Sequence, residues 1–251
     1  MCEVINNNMA IPGLHTNPTF LNMGQSTKLH NQLRDDADQP LVSDDDLKAL
    51  AQIFVKYNAH KVFGVHLIHK HSELDINTVN LGDYSPELSG YWTKPVDLRD
   101  LDSSNIHGHI FALTSSGCFT AYEFRTGLLP KLSHIAVEFF DDVAEYLQSN
   151  QLGDVLGLEV LENEGGEAAF EFVMGQGLGT LMLAESKAYA DPLIYRTTGW
   201  VFENDGAISC RGGAHHTKTT GGEHSTVKSG TVKTSSVEMI KMALLDAGIY
   251  R

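Results

Sequence analysis

Cysteine and positive charge are both scarce in this chain, and each shortage removes a class of protein. Only three cysteines, Cys2, Cys118 and Cys210, are spread over 251 residues. They are too few and too scattered for a disulfide framework, so a reducing compartment is expected. Lysine and arginine total 18 against 32 aspartates and glutamates, for a formal net charge of −14. Nucleic acid and acidic membrane surfaces both select the opposite balance, because phosphate binding needs a surplus of Lys and Arg. A membrane span needs a run of about 18 apolar residues, which is missing. Residues 1–10 lack the basic start and apolar core of a signal peptide. A cytoplasmic protein is therefore expected, with a small molecule as its partner and a homo-oligomer as an open option. With 42% hydrophobic and 20% charged residues the composition is that of an ordinary globular protein. It is long enough to bury a core without staples.

Histidine is plentiful by contrast. Three of the 12 histidines fall within six residues, in Phe63-Gly64-Val65-His66-Leu67-Ile68-His69-Lys70-His71. Val62, Phe63, Val65, Leu67 and Ile68 favour a strand, whose alternate side chains share a face. That alternation aligns Phe63, Val65, Leu67, His69 and His71 on one side, with His66 and Ile68 on the other. The run Ile106-His107-Gly108-His109-Ile110-Phe111-Ala112-Leu113 has the same form, with His107 and His109 on one face. If the two strands are neighbours, four imidazoles converge in a set that suits zinc, iron, copper or nickel. The plainer reading leaves one pair solvated at a strand end and the other hydrogen-bonded in the core.

Along the chain, residues 1–42 are polar, without sustained period, and read as an N-terminal extension. Residues 43–251 read as a single domain. Ser43 caps a helix with acids in its first turn and apolar residues at helical spacing from Leu47 to Tyr57. The histidine strand follows, then a short strand at residues 77–84. Residues 85–105, broken by Pro86, Gly90 and Pro95, read as a loop carrying Tyr91 and Trp92. Residues 106–126 form a hairpin around Ser115-Ser116-Gly117. Ser133 is expected to cap a second helix running to Asn150, and a third spans residues 236–247. Strands are expected at 155–162, 168–174, 180–185, 193–197, 200–203 and 207–210. Gly175-Gln176-Gly177-Leu178-Gly179 precedes a strand rather than a helix, which disfavours phosphate binding. Residues 211–236, small and polar, read either as a flexible loop ordered by a ligand or metal, with the adjoining Cys210 and His215, His216 and His224 as candidate ligands or acid/base groups, or as a solvated linker before the last helix. The order of elements implies an α+β fold, with a mainly antiparallel or barrel-like sheet and about three helices.

Two resemblances attach to the first histidine segment. Gly64, His69, His71, Asp75 and Gly82 resemble the first motif of the cupin barrels, with one residue fewer after the first glycine and Asp for the usual Glu. That likeness implies a catalytic metal on these residues, although the second cupin motif is absent downstream. Leu67-Ile68-His69-Lys70-His71, followed by Tyr122-Glu123-Phe124, is similar to uncharacterised fungal proteins with a Leu-His-Arg-His segment, a likeness that implies no activity.

The expected function is a small-molecule enzyme, of lyase, hydrolase or oxygenase type, using a divalent metal on His69, His71, His107 and His109. Glu73, Asp75 or Glu123 would serve as a further ligand or base, and His66 would move protons near neutral pH. One alternative is a metal-free lyase, isomerase or cyclase with His66 and His69, or Cys210 and His215, as its reacting pair. Another is a non-enzymatic binding or interaction protein.

Overall fold

Ser43 accepts a hydrogen bond from the Asp46 amide, and three aspartates in the first turn oppose the helix dipole, so the expected helix starts where the sequence places it. The structure, a computed structural model, describes residues 10–161, 169–174, 178–187, 193–209, 214–218, 226–227 and 237–246. In chain order the helices are α1 (Phe20–Gln32), α2 (Asp44–Lys56), α3 (Glu138–Ser149) and α4 (Val237–Asp246). The strands are β1 (Phe63–Leu67), β2 (Thr78–Ser85), β3 (Gly90–Asp97), β4 (Ile106–Leu113), β5 (Phe119–Thr126), β6 (Leu156–Val160), β7 (Ala169–Met174) and β8 (Gly179–Ala184). They continue with β9 (Leu193–Thr197), β10 (Gly199–Phe202), β11 (Ile208–Ser209), β12 (Ala214–Lys218) and β13 (Thr226–Val227). The fold is α+β and rich in sheet. Among the described residues, no helix is long and apolar enough to cross a membrane.

All the described strands join one mainly antiparallel sheet, in the order β11-β10-β1-β6-β4-β5-β2-β3-β8-β7-β12-β9, with β13 beside β7. Three pairings are parallel: β2 with β5, and β7 with both β12 and β13. The hydrogen-bonded path is open, yet β9 at one edge is joined through Thr198 alone to β10 near the other. The sheet must therefore curl until its two ends come together. A side-chain contact confirms the curl. His71, just past β1, reaches Glu171 of β7 with 3.2 Å between Nε2 and Oε1, although the two strands stand seven places apart along the order. On a flat sheet seven spacings amount to about 30 Å.

The convex face carries the main core. Phe63, Val65 and Leu67 of β1, Leu156, Leu158 and Val160 of β6, and Phe111 of β4 pack under Phe54 of α2 and Phe139, Phe140 and Val143 of α3. Phe139 is the hub, with ring centroids 5.0 Å from Phe54, 5.6 Å from Phe63 and 5.1 Å from Phe140. A second cluster joins Trp92, Phe170, Phe172, Leu181 and Leu183 to Leu244 of α4. Polar residues of these strands are thereby turned to the concave side.

Four local expectations are corrected. Residues 90–97 are a strand, not part of a loop, and Pro95 is tolerated because the neighbour β8 pairs with β3 only from Gly90 to Thr93. Gly90 is required there, since a Cβ would stand 2.3 Å from the Met182 carbonyl oxygen. The extension at residues 1–42 contains α1, capped by Thr19, with Met23 and His30 buried. The second helix begins at Glu138, its cap position held by Val137 without a side-chain bond, so Ser133 is not its cap. Within residues 211–236, Ala214–Lys218 is a strand paired with β7 and β9, and Thr226–Val227 pairs with β7. Gly175, Gln176 and Gly177 lie outside the described residues.

Candidate metal centre

Strand β1 ends at Leu67, four residues before the second histidine of the pair. Beyond it the Ile68 amide donates to the Val155 carbonyl and the Lys70 amide to the Arg34 carbonyl, partners on two different segments. The alternation expected through His71 is broken there, and His69 comes to the same side as His66. Their rings stack with centroids 5.4 Å apart and planes 21° from parallel.

His69 and His71 meet Glu171 inside the curl. The two Nε2 atoms are 3.2 Å apart, His71 Nε2 is 3.2 Å from Glu171 Oε1, and His69 Nε2 is 3.9 Å from Glu171 Oε2. One donor atom from each residue falls within 4.8 Å of the other two. A bond of about 2.1 Å to a metal separates adjacent ligand atoms by about 3.0 Å at an octahedral ion and about 3.4 Å at a tetrahedral one. The two 3.2 Å separations fall between these values, and the 3.9 Å separation of His69 from Glu171 is wider. His69 Nδ1 donates to the Leu67 carbonyl at 2.6 Å, which fixes the tautomer and turns a lone pair on Nε2 toward the site. His69 and Glu171 are buried and His71 is largely so. Two imidazoles and one carboxylate converging in this way can hold a divalent transition metal.

A second group adjoins the first. Glu159 of β6 places Oε2 at 3.4 Å from His66 Nδ1 and Oε1 at 3.6 Å from His109 Nε2. Arg125 Nη2 is 3.2 Å from His109 Nε2, Nη1 donates to Thr93 Oγ1 at 2.8 Å, and the guanidinium lies 4.5 Å over the Tyr91 ring. Because a guanidinium only donates, the His109 lone pair at Nε2 is taken. Burial first, and then the Arg125 charge, hold His109 well below the ordinary histidine range. Burial likewise lowers His107, at the strand end beside Gly127.

Two consecutive bulges aim this group. Across β4 and β5, Gly108 pairs with Phe124, Ile110 with Glu123 and Phe111 with Ala121, leaving His109 and Tyr122 as the extra residues. Phe111 and Phe124 stay on the convex core while Ile110 and Tyr122 join a concave cluster with Leu33 and Ile68. Burial, reinforced by Glu171, raises the Glu123 carboxyl above the ordinary carboxylate range.

The residues singled out by sequence are thus distributed unevenly. His66, His69 and His71 form one connected cluster. His107 and His109 belong to the Glu159–Arg125 side and not to the triad. Glu73 and Asp75 are exposed, Glu73 being ion-paired with Lys70. His215 lies in β12, its backbone opposite Thr197 and Phe170, and Cys210 lies outside the described residues. Sequence reading missed Glu171, Glu159 and Arg125. Glu171 and Glu159 each sit as a lone charge in an apolar strand, as in Phe170-Glu171-Phe172 and Leu158-Glu159-Val160, and that pattern was the available signal; Arg125 shares β5 with Glu123 and carried no such mark. Comparison with family models, curated proteins and solved structures returned no match.

Proposed function

We propose that this chain is an enzyme acting on a small molecule within the curled sheet, with His69, His71 and Glu171 holding a divalent zinc, iron, copper or nickel ion. The observation that carries the reading is the 3.2 Å spacing of the His69 and His71 Nε2 atoms, with the His69 ring oriented by its hydrogen bond to the Leu67 carbonyl. Charge supports it. Glu123, Glu159 and Glu171 stand within the sheet against one buried guanidinium, Arg125, and buried charge is tolerated when compensated. A divalent cation adds to that compensation. The His-x-His pair that resembles the cupin motif is retained here as a ligand pair, completed by a glutamate from a distant strand.

An ion at this position supplies Lewis acidity to a substrate oxygen. His66, stacked on His69 and facing Glu159, is the group placed to accept or return a proton beside the reacting centre. Burial, and after it the Arg125 charge, keep His109 neutral, and the Arg125 guanidinium holds its Nε2.

Loading the purified protein with each metal, removing free ion by dialysis and measuring content tests the proposal. About one ion per chain is expected in the wild type, as for a single three-residue site, and none in His69→Ala or Glu171→Ala. Equal content in all three proteins would refute it. A second reading, a metal-free acid/base enzyme, is favoured by the 3.4 Å approach of His66 to Glu159. It predicts full activity after chelation.

A further inference from the structure

Resting on the metal reading above, we infer that the chain before α2 is part of the metal centre's support, with Gln39 as the positioning residue that keeps His69 and His71 at ligand spacing. These two histidines lie beyond the end of β1, where the ladder no longer holds the backbone. What replaces the ladder is a set of contacts to other segments. The Ile68 amide donates to the Val155 carbonyl at 2.9 Å, and the Lys70 amide to the Arg34 carbonyl at 3.0 Å. Lys70 Nζ donates to the Asn31 carbonyl at 2.6 Å. The Ile68 carbonyl, between the residue that orients His69 and His69 itself, accepts from Gln39 Nε2 at 2.6 Å.

Gln39 is buried at 6% exposure, and the same amide nitrogen reaches the Asp154 carbonyl at 3.1 Å. One side chain therefore ties the end of β1 to the turn that leads into β6. Gln39 is itself held from outside by Arg196 of β9, whose guanidinium donates to the carbonyls of Asp36, Gln39 and Pro40. The support runs from Arg196 through Gln39 and Ile68 to His69. Among the described residues, nothing satisfies the other end of the amide, Gln39 Oε1. A buried acceptor left without a partner is a cost to stability. A glutamine kept under that cost is accounted for by what its nitrogen positions.

Outer-sphere partners that orient metal ligands typically change affinity by 10–100-fold when removed, which sets the scale of the test. Cobalt(II) is titrated into metal-free protein, and the dissociation constant and the visible d–d absorption band are recorded. Gln39→Met, similar in shape but unable to donate, is expected to weaken cobalt binding by about tenfold or more and to change the band. Tyr57→Phe serves as the control for lost stability alone. It removes a 2.8 Å hydrogen bond to Asp142 between α2 and α3, and is expected to lower the thermal midpoint while leaving affinity and band unchanged. A folded Gln39→Met protein with wild-type affinity and spectrum overturns the inference. Should Gln39→Met fail to fold, Arg196→Lys is read in its place, with the same weakening expected and unchanged binding counting against the support. Wild-type protein that takes up no cobalt overturns the metal reading itself, a result distinct from either variant outcome.

Discussion

Glu171→Gln should have opposite effects on the metal-free and metal-bound protein. In the metal-free protein Glu171 is one of three carboxylates sharing the interior with Arg125, and its charge helps push the Glu123 carboxyl upward. Removing that charge relieves the repulsion, while glutamine keeps an acceptor for His71, whose Nε2 lies 3.2 Å away. A lost charge-assisted bond costs about 1.5–3 kcal/mol, but taking a carboxylate out of water beside two others costs several kcal/mol. The net expectation is a gain of about 1 kcal/mol, or about 2–4 °C in thermal midpoint for a domain of this size. With metal the sign reverses. At a hundredfold excess over its dissociation constant, a ligand adds about 2.7 kcal/mol to the protein that binds it, and the variant should forgo that increment. Thermal melts with chelator and with saturating zinc measure both effects. A metal-free variant clearly less stable than wild type, or one that zinc stabilises as fully, would refute the reasoning.

Three further outcomes follow from the packing. His30 has its pKa lowered to about 4 from 6.5, first by burial, so the unfolded chain takes up a proton before the folded one does. Stability should fall by about 3 kcal/mol from this group as pH drops from 6.5 to 4. A denaturant series in which His30→Gln shows the same slope as wild type would contradict this. Gly82 leaves room for Arg125, because a Cβ there would stand 1.6 Å from Nη1. Gly82→Ala is expected to displace the guanidinium and cost about 1–3 kcal/mol in urea unfolding, and a neutral change would count against the buried arginine. Phe139→Ala should cost about 3–5 kcal/mol, and a loss under about 1 kcal/mol would mean that α3 is not seated on the sheet as described.

The elements that announced themselves in sequence were those with strong local signals. Ser43 before three aspartates marked α2, and Ser115-Ser116-Gly117 between alternating runs marked the β4–β5 hairpin, which the structure bears out. Helix α1 carried no comparable signal, since its polar residues give only a weak apolar stripe, and burial of Ser26, Thr27 and His30 reflects tertiary contacts. His69 and His71 were legible as a ligand pair because two imidazoles two residues apart are unusual in an apolar run. Their placement was not legible, because it depends on where β1 stops, and that is decided by carbonyls of Arg34 and Val155. Glu171 follows His71 by 100 residues, so only the curl of the sheet brings it into reach. The bulges at His109 and Tyr122 are set by cross-strand register, which no single strand encodes.

The most direct measurement is anomalous diffraction from crystals of the metal-loaded protein, collected at the absorption edge of the bound metal. The account predicts one peak at about 2.1 Å from Nε2 of both His69 and His71 and from a Glu171 carboxylate oxygen. A peak on any other set of residues, or none at the triad under saturating metal, would contradict it.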